Sequence, residues 1–373
     1  MTHGHDHPGE HGDAAPARPR KQEQEDATTD VTEVAPGVLR TQLSISMPGL
    51  GHVNCYVLED DRGIAVVDPG LPGEDSWRDL NDRLGRAGYA VGDVHTIVVT
   101  HSHPDHFGGA MRLRHETGAD ILTHETFRTI WDVGELDEHE DSSALDVNSA
   151  EEQEAAMERY FTRPSPWGGQ RSGPPPEFFE RMRTARLAGD ATSFAAPRPS
   201  IAVVDGDRVS LARREWVALH TPGHTYDHLC LWDPEHGVVF TGDHVLPSIT
   251  PHISGLAPEA DPLALFFASL RRMADLGDVS IALPAHGHPF HDLAGRAEHI
   301  IEHHEERLDI IREAAANRLP DGTVGDFMRV LFSERAWGDM AESETYAHLE
   351  HLRELHELRR DDAGGVAHYS LAG

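Results

Sequence analysis

Residues 96–109 read Thr96-Ile97-Val98-Val99-Thr100-His101-Ser102-His103-Pro104-Asp105-His106-Phe107-Gly108-Gly109. The first five form an apolar, β-branched run of strand length. Three histidines and an aspartate then arrive within six residues, from His101 to His106. His101 and His103 are two apart, so an extended backbone sends both side chains to one side. Asp105 and His106 follow where the chain turns into a helix, so they point to a neighbouring spot. That arrangement serves two metal ions side by side, and imidazole with carboxylate suits Zn²⁺ or iron. The apolar spacing over 107–117 predicts a helix, closed by Gly118.

Three further segments have the same character. Thr221-Pro222-Gly223-His224-Thr225 follows a predicted strand at 216–220. Thr241-Gly242-Asp243-His244 overlaps the end of one at 238–241. Pro284-Ala285-His286-Gly287-His288 follows one at 279–283. Each places His or Asp in Gly/Pro-rich backbone just after a strand, where close approach is tolerated. Strands are also predicted at 38–45, 53–58, 63–67, 119–123, 201–204, 208–211 and 229–232, and helices at 75–84 and 262–273. Two strand-rich halves, each with helices after it, predict a four-layered α/β arrangement rather than a purely parallel sheet.

The chain has 373 residues, enough to bury a core without disulfide staples. Acidic residues number 64 against 32 basic ones, a formal net charge of −32, which opposes binding to phosphate backbones. Cys55 and Cys230 are the only cysteines and read as core thiols, not a disulfide framework. No stretch reaches 18 apolar residues and no export signal is visible, so a cytoplasmic setting without membrane contact is expected.

Residues 1–30, with His3, His5, His7 and His11, read as a disordered His-rich tail. Residues 31–291 read as the catalytic domain, carrying an insertion at about 130–199. Asp132–Glu158 holds eleven acids and no Lys or Arg, and helical patches are expected at 150–161 and 177–187. Phe161, Trp167, Phe178 and Phe179 either line a substrate pocket or pin the insertion to the body. Residues 292–373 read as three helices (297–317, 324–332, 344–360) and a short strand (366–371). This resembles a winged helix, but from Arg296 onward there are 17 acids against 9 arginines. A packing or homodimerising role is expected there, not DNA binding.

His-x-His-x-Asp-His, TPGHT, TGD and PAHG, in this order over about 31–291, resemble the metallo-β-lactamase superfamily. Val66-Val67-Asp68-Pro69-Gly70 matches a further family motif, whose Asp buttresses the metal loops, and Asn54 sits in a familiar strand. Ala347-His348-Leu349 resembles the winged-helix domain attached to one branch. The resemblance implies an αββα sandwich with metals at one edge and a small C-terminal winged-helix-like domain. It implies one metal on His101, His103 and His224, another on Asp105, His106 and His286, and Asp243 between them. It favours two Zn²⁺, with iron or manganese as alternatives, because position 103 is His where the diiron branch has Glu.

Two divalent cations lower the pKa of a shared water, so hydroxide exists near neutral pH and attacks a polarised carbonyl. Asp105 is expected to orient that nucleophile as the catalytic residue. The TPGHT and TGD motifs resemble hydroxyacylglutathione-hydrolase-like members, so a small acyl thioester, ester or lactone is the expected substrate. The alternatives are an endoribonuclease of the winged-helix branch and a mononuclear iron enzyme that oxidises sulfur, like persulfide dioxygenases. His228 is expected around the ligands, not among them, and His244 and His288 either support the ligands or are exposed. Tyr226 and His252 lie in loops expected to face the site, where they could touch substrate, but structural or surface roles are expected. His299, His303 and His304 fall on one predicted helix; His299 and His303, four apart, have a spacing that can bind zinc, but a surface place among Glu302, Glu305 and Glu306 is expected.

Overall fold

The computed structural model describes residues 21–47, 49–129, 161–171, 173, 180, 183–184 and 196–373. Residues 1–20, most of the insertion, Phe178 and Phe179 lie outside the described residues, as do most of the helices expected at 150–161 and 177–187.

The first sheet has seven strands in chain order: β1 (Thr32–Ala35), β2 (Val38–Met47), β3 (Leu50–Asp60), β4 (Gly63–Val67), β5 (Val94–Val98), β6 (Asp120–His124) and β7 (Ile201–Val203). β1 to β4 pair antiparallel and β4 to β7 parallel. Parallel neighbours require crossovers. Helix α1 (Glu74–Arg86) joins β4 to β5, and α2 (Pro104–Phe107) with α3 (Ala110–Thr117) joins β5 to β6. The second sheet holds β8 (Arg208–Leu211), β9 (Arg214–His220), β10 (Leu229–Asp233), β11 (Val238–Gly242) and β12 (Ile281–Pro284), in the order β12-β11-β10-β9-β8. Its one parallel pair, β11 with β12, is connected through α4 (Pro262–Ala274).

Strand alternation builds the layers, because successive side chains leave opposite faces. In β3, Val53, Cys55 and Val57 pack with Leu80 and Leu84 of α1 and Leu113 of α3. Tyr56 and Leu58 point the other way, against Trp216, Leu231 and Phe240 of the second sheet. In β10, Leu229 and Leu231 join that inter-sheet core, while Cys230 and Trp232 meet Phe266 and Leu270 of α4. The four layers are therefore helix, sheet, sheet, helix, as the sequence predicts.

The C-terminal residues form α5 (Leu293–Asn317), β13 (Gly322–Thr323), α6 (Val324–Leu331), α7 (Asp339–Glu354), β14 (Leu358–Ala363) and β15 (Val366–Leu371). A small sheet runs β13-β15-β14. Its core is continuous with the outer face of the second sheet: Leu308, Ile311, Phe327, Leu349 and Tyr369 share one cluster with Phe266 and Met273. None of the helices among the described residues is long and apolar enough to cross a membrane.

Four expectations change. Residues 21–30 are not all tail: Gln22–Gln24 is a 3₁₀ turn, and the buried Glu23 carboxylate accepts hydrogen bonds from the backbone N–H groups of Ser248 (2.8 Å) and Ile249 (3.1 Å) and from the Ser248 hydroxyl. The helix expected over 107–117 is two pieces. Gly108 and Gly109 separate them, and a Cβ on Gly108 would lie 2.2 Å from the Pro72 nitrogen. The helix expected at 344–360 is shifted, because the chain leaves α7 through His356 at φ 61° and residues 358–363 pair with β15 as a strand. His304 is not at the surface: it is fully buried, while its neighbour His299 stays exposed.

Trp167 anchors the insertion and, with Phe161 and Leu256, also lines a small cavity. Its indole N–H donates to Glu342 Oε2 (3.1 Å), its ring lies 4.9 Å from that of Tyr346, and its carbonyl accepts from Ala367 N–H (3.1 Å). It pins this part of the insertion to α7 and β15. Phe161 packs, half-buried, against the core of the first sheet.

Candidate metal centre

Four strand ends deliver the polar residues. Thr100 to His106 follow β5, His224 follows β9, Asp243 follows β11 and His286 follows β12. β9, β11 and β12 run in one direction through the second sheet, so their loops leave at the same edge. Gly242 is needed there: its φ is +50°, and a Cβ would lie 2.7 Å from His228 Nε2 and 3.2 Å from Thr100 Cβ.

All seven predicted residues converge. His101, His103, His224 and Asp243 bring one donor atom each to within 4.8 Å of one another, and Asp105, His106 and His286 do the same. In the first group His103 Nδ1 lies 2.9 Å from His101 Nε2 and 3.1 Å from His224 Nε2. In the second, Asp105 Oδ2 lies 3.5 Å from His106 Nε2 and 3.4 Å from His286 Nε2. Asp243 stands between the groups. Its Oδ2 is 3.6 Å from both His224 Nε2 and His106 Nε2, and its Oδ1 is 3.3 Å from His286 Nε2.

On His101, His106, His224 and His286 the outer ring nitrogen is tied down, which fixes the tautomer and aims the other nitrogen inward. His106 Nδ1–H donates to Asp68 Oδ2 (2.9 Å), His224 Nδ1–H to the His252 carbonyl (2.7 Å) and His286 Nδ1–H to the His52 carbonyl (2.6 Å). His101 Nδ1 lies 3.1 Å from Thr100 Oγ1. Asp68, at φ 56°, also accepts from the Thr100 N–H (2.9 Å) and hydroxyl (2.8 Å), so one carboxylate holds both ends of the histidine loop. Asn54 donates to the carbonyls of Pro284 (2.8 Å) and Gly287 (2.9 Å), fixing the loop that carries His286. His228 receives the Asp243 N–H on Nε2 (3.1 Å) and faces Thr221 Oγ1 through Nδ1 (2.8 Å).

The electrostatics call for positive charge. Burial pushes His101, His103 and His224 down, His103 to about 3, leaving neutral rings with free lone pairs. Burial also opposes charge on His106 and His286. The carboxylates of Asp105 and Asp243 outweigh it and push both rings up, His286 to about 10. Asp105 and Asp243 are held well below the usual carboxylate range despite burial, chiefly by His106 and His286. Three buried atoms facing the centre, His106 Nε2, His286 Nε2 and Asp243 Oδ1, have no hydrogen-bond partner. Neutral imidazoles on His101, His103 and His224, ionised carboxylates, and the positive charge that Asp105 and Asp243 draw onto His106 and His286 mark a centre suited to divalent cations.

The remaining candidates lie around this set. His244 is buried against the Phe266 ring (5.1 Å). His288 is turned away, with Nε2 2.7 Å from Glu25 Oε2. Tyr226 is exposed, edge-on to His220. His252 acts through its carbonyl, while its ring meets Glu344 (Nδ1 to Oε2, 3.4 Å). Cys55 and Cys230 are buried free thiols, pushed up to about 12 chiefly by burial. His52 was not singled out by sequence, because any residue offers a carbonyl.

Residues 48–286 match the family model of the metallo-beta-lactamase superfamily. The chain is 36% identical over 107 residues to the lactamase-like protein adaB of Aspergillus niger, covering 29% of this chain and 31% of that protein. It is 23% identical over 268 residues to the probable metallo-hydrolase YqjP of Bacillus subtilis, covering 70% of this chain and 76% of YqjP. The chain thus spans about a third of the fungal relative's length and about three quarters of the bacterial one's. Among solved structures, a metallo-beta-lactamase family protein of Thermus thermophilus superposes with TM-score 0.70 at 28% identity, covering 91% of this chain and 100% of that one. A beta-lactamase domain protein of Burkholderia ambifaria gives 0.69 at 26% identity, covering 93% and 96%.

Proposed function

Since the chain belongs to the metallo-β-lactamase superfamily and is a metal-dependent hydrolase, we propose that it holds two zinc ions and hydrolyses a small acyl thioester, ester or lactone. The observation that carries this reading is Asp243, whose two oxygens reach toward both ligand groups at 3.3–3.6 Å. His101, His103 and His224 would hold one ion, Asp105, His106 and His286 the other, and Asp243 would serve both. When bound, the ions supply Lewis acidity, acidifying water and polarising the acyl carbonyl.

The chain's own groups do the rest. Asp105 is ionised and borders His106 and His286, so its carboxylate accepts a hydrogen bond from the attacking water and orients it. His101, His106, His224 and His286 are fixed through their outer nitrogens, so the centre is preorganised. Neither cysteine can act as nucleophile, since both thiols are buried and remain protonated at neutral pH. The net charge of −32 favours a small-molecule substrate over a nucleic acid. A cytoplasmic setting belongs to the same proposal. Three helices with the β13-β15-β14 sheet support reading the C-terminal module as a winged helix used for packing.

A panel of thioesters, esters and lactones tests the reading. Wild type should hydrolyse at least one class, and Asp105→Ala or His103→Ala should lower that rate by about 100-fold or more. Full activity in both variants would show that the site is elsewhere.

A further inference from the structure

Away from the seven residues, α5 and α7 bring a second set of donors together. His304 of α5 and Glu344 and His348 of α7 present one donor atom each within 4.8 Å of one another, all buried. The two rings face each other, with His304 Nδ1 3.0 Å from His348 Nε2. Two nitrogens on one tetrahedral zinc at about 2.0–2.1 Å stand roughly 3.3 Å apart. The spacing is also that of the first centre, where His103 Nδ1 sits 2.9 and 3.1 Å from its neighbours.

The support around His348, though not that around His304, repeats the first centre as well. His348 Nδ1–H donates to the Glu344 carbonyl (2.7 Å), so its Nε2 carries the free lone pair toward His304. Burial pushes both rings down, His348 to about 4, so both are neutral and able to ligate. The Glu344 carboxyl is held well below its ordinary range despite burial, by His252 and Arg307, so it is ionised. The rings of Phe266 and Phe267 close the far side of His304 at 5.7 and 6.2 Å, and His304 Nε2 is buried without a partner.

We propose that His304, Glu344 and His348 form a third, mononuclear site for a borderline divalent cation, Zn²⁺ foremost, that fastens α7 to α5. Two imidazoles and a carboxylate leave one position of a tetrahedron for water. Arg307 already pairs with Glu344 Oε1, and Glu344 Oε2 lies 3.4 Å from His252 Nδ1. The guanidinium charge opposes a cation, so this site binds more weakly than the pair at the strand ends and loses its ion first to a chelator.

The test is a zinc titration of the full metal-stripped chain, read as equivalents bound. His304→Ala and His348→Ala should each bind one equivalent fewer than wild type while keeping wild-type far-ultraviolet circular dichroism. Equal counts in wild type and folded variants would overturn the proposal and establish a plain N–H···N bond between the rings. If neither variant folds, wild-type crystals grown with zinc and measured at the zinc absorption edge decide the matter. An anomalous peak between His304 Nδ1 and His348 Nε2 supports the site, and its absence overturns it. The zinc retained by the variants reports on the seven-residue centre separately.

Discussion

Asp68 gives both carboxylate oxygens to the loops of the metal centre, binding Thr100 through one and Thr100 and His106 through the other. Removing it frees the His106 ring and the start of the histidine loop without deleting a ligand. Loss of such a support lowers metal affinity by about 10–100-fold. Asp68→Ala should therefore lose zinc to a competing chelator at a correspondingly lower chelator concentration, while its far-ultraviolet circular dichroism stays native. Asp68 was legible in the sequence through the VVDPG motif, and the seven inward residues through side-chain type and spacing together with the family resemblance, since the same loops also offered His244 and His288. The carbonyls of His52 and His252 were not, because a backbone oxygen has no residue-type signature. His304 was misread for a related reason: its glutamate neighbours in sequence describe the exposed face of α5, and one step along a helix rotates a residue by about 100°.

Among the elements, strands were the most readable. β4, β8 and β15 match their expected spans, and most others differ by one or two residues, since the β-branched runs that fill two buried faces have few other readings. The ends of α7 were less so, because residues 358–363 are charged and helix-compatible, and only pairing with β15 makes them a strand. Capping is a testable feature of α4. Asp261 accepts the Ala264 N–H on its side chain (2.9 Å) and pairs with His351 Nδ1 (2.9 Å). Asp261→Ala should cost about 1 kcal/mol from the cap. Burial raises the Asp261 carboxyl, but His351 and the cap outweigh it, leaving it below the ordinary 3.8. A depressed folded value means that the contribution is complete above that ordinary value and fades as pH falls through the lower, folded one. Denaturant melts of wild type and variant should thus differ by a constant gap near neutrality and converge in acid.

In the whole molecule, the C-terminal module is not an appendage hung on a finished domain, since its apolar residues complete one cluster with α4 and the second sheet. Trp167 adds the insertion to that assembly by packing on Tyr346 and bonding Glu342. Trp167→Ala should destabilise the chain by about 3–5 kcal/mol, the range for a buried tryptophan, in denaturant unfolding. An effect below about 1 kcal/mol would mean that the contact contributes little.

The central claim is a pair of metal ions held by seven residues from four strand ends. Its most direct measurement is zinc per chain after dialysis against a weak chelator, for wild type and for a His103→Ala/Asp105→Ala/His286→Ala variant. Taking the difference removes whatever the histidines of residues 1–20 bind. Wild type should retain two more zinc ions per chain than the variant. A difference of one would contradict the dinuclear centre, and no difference would contradict a metal centre at these residues.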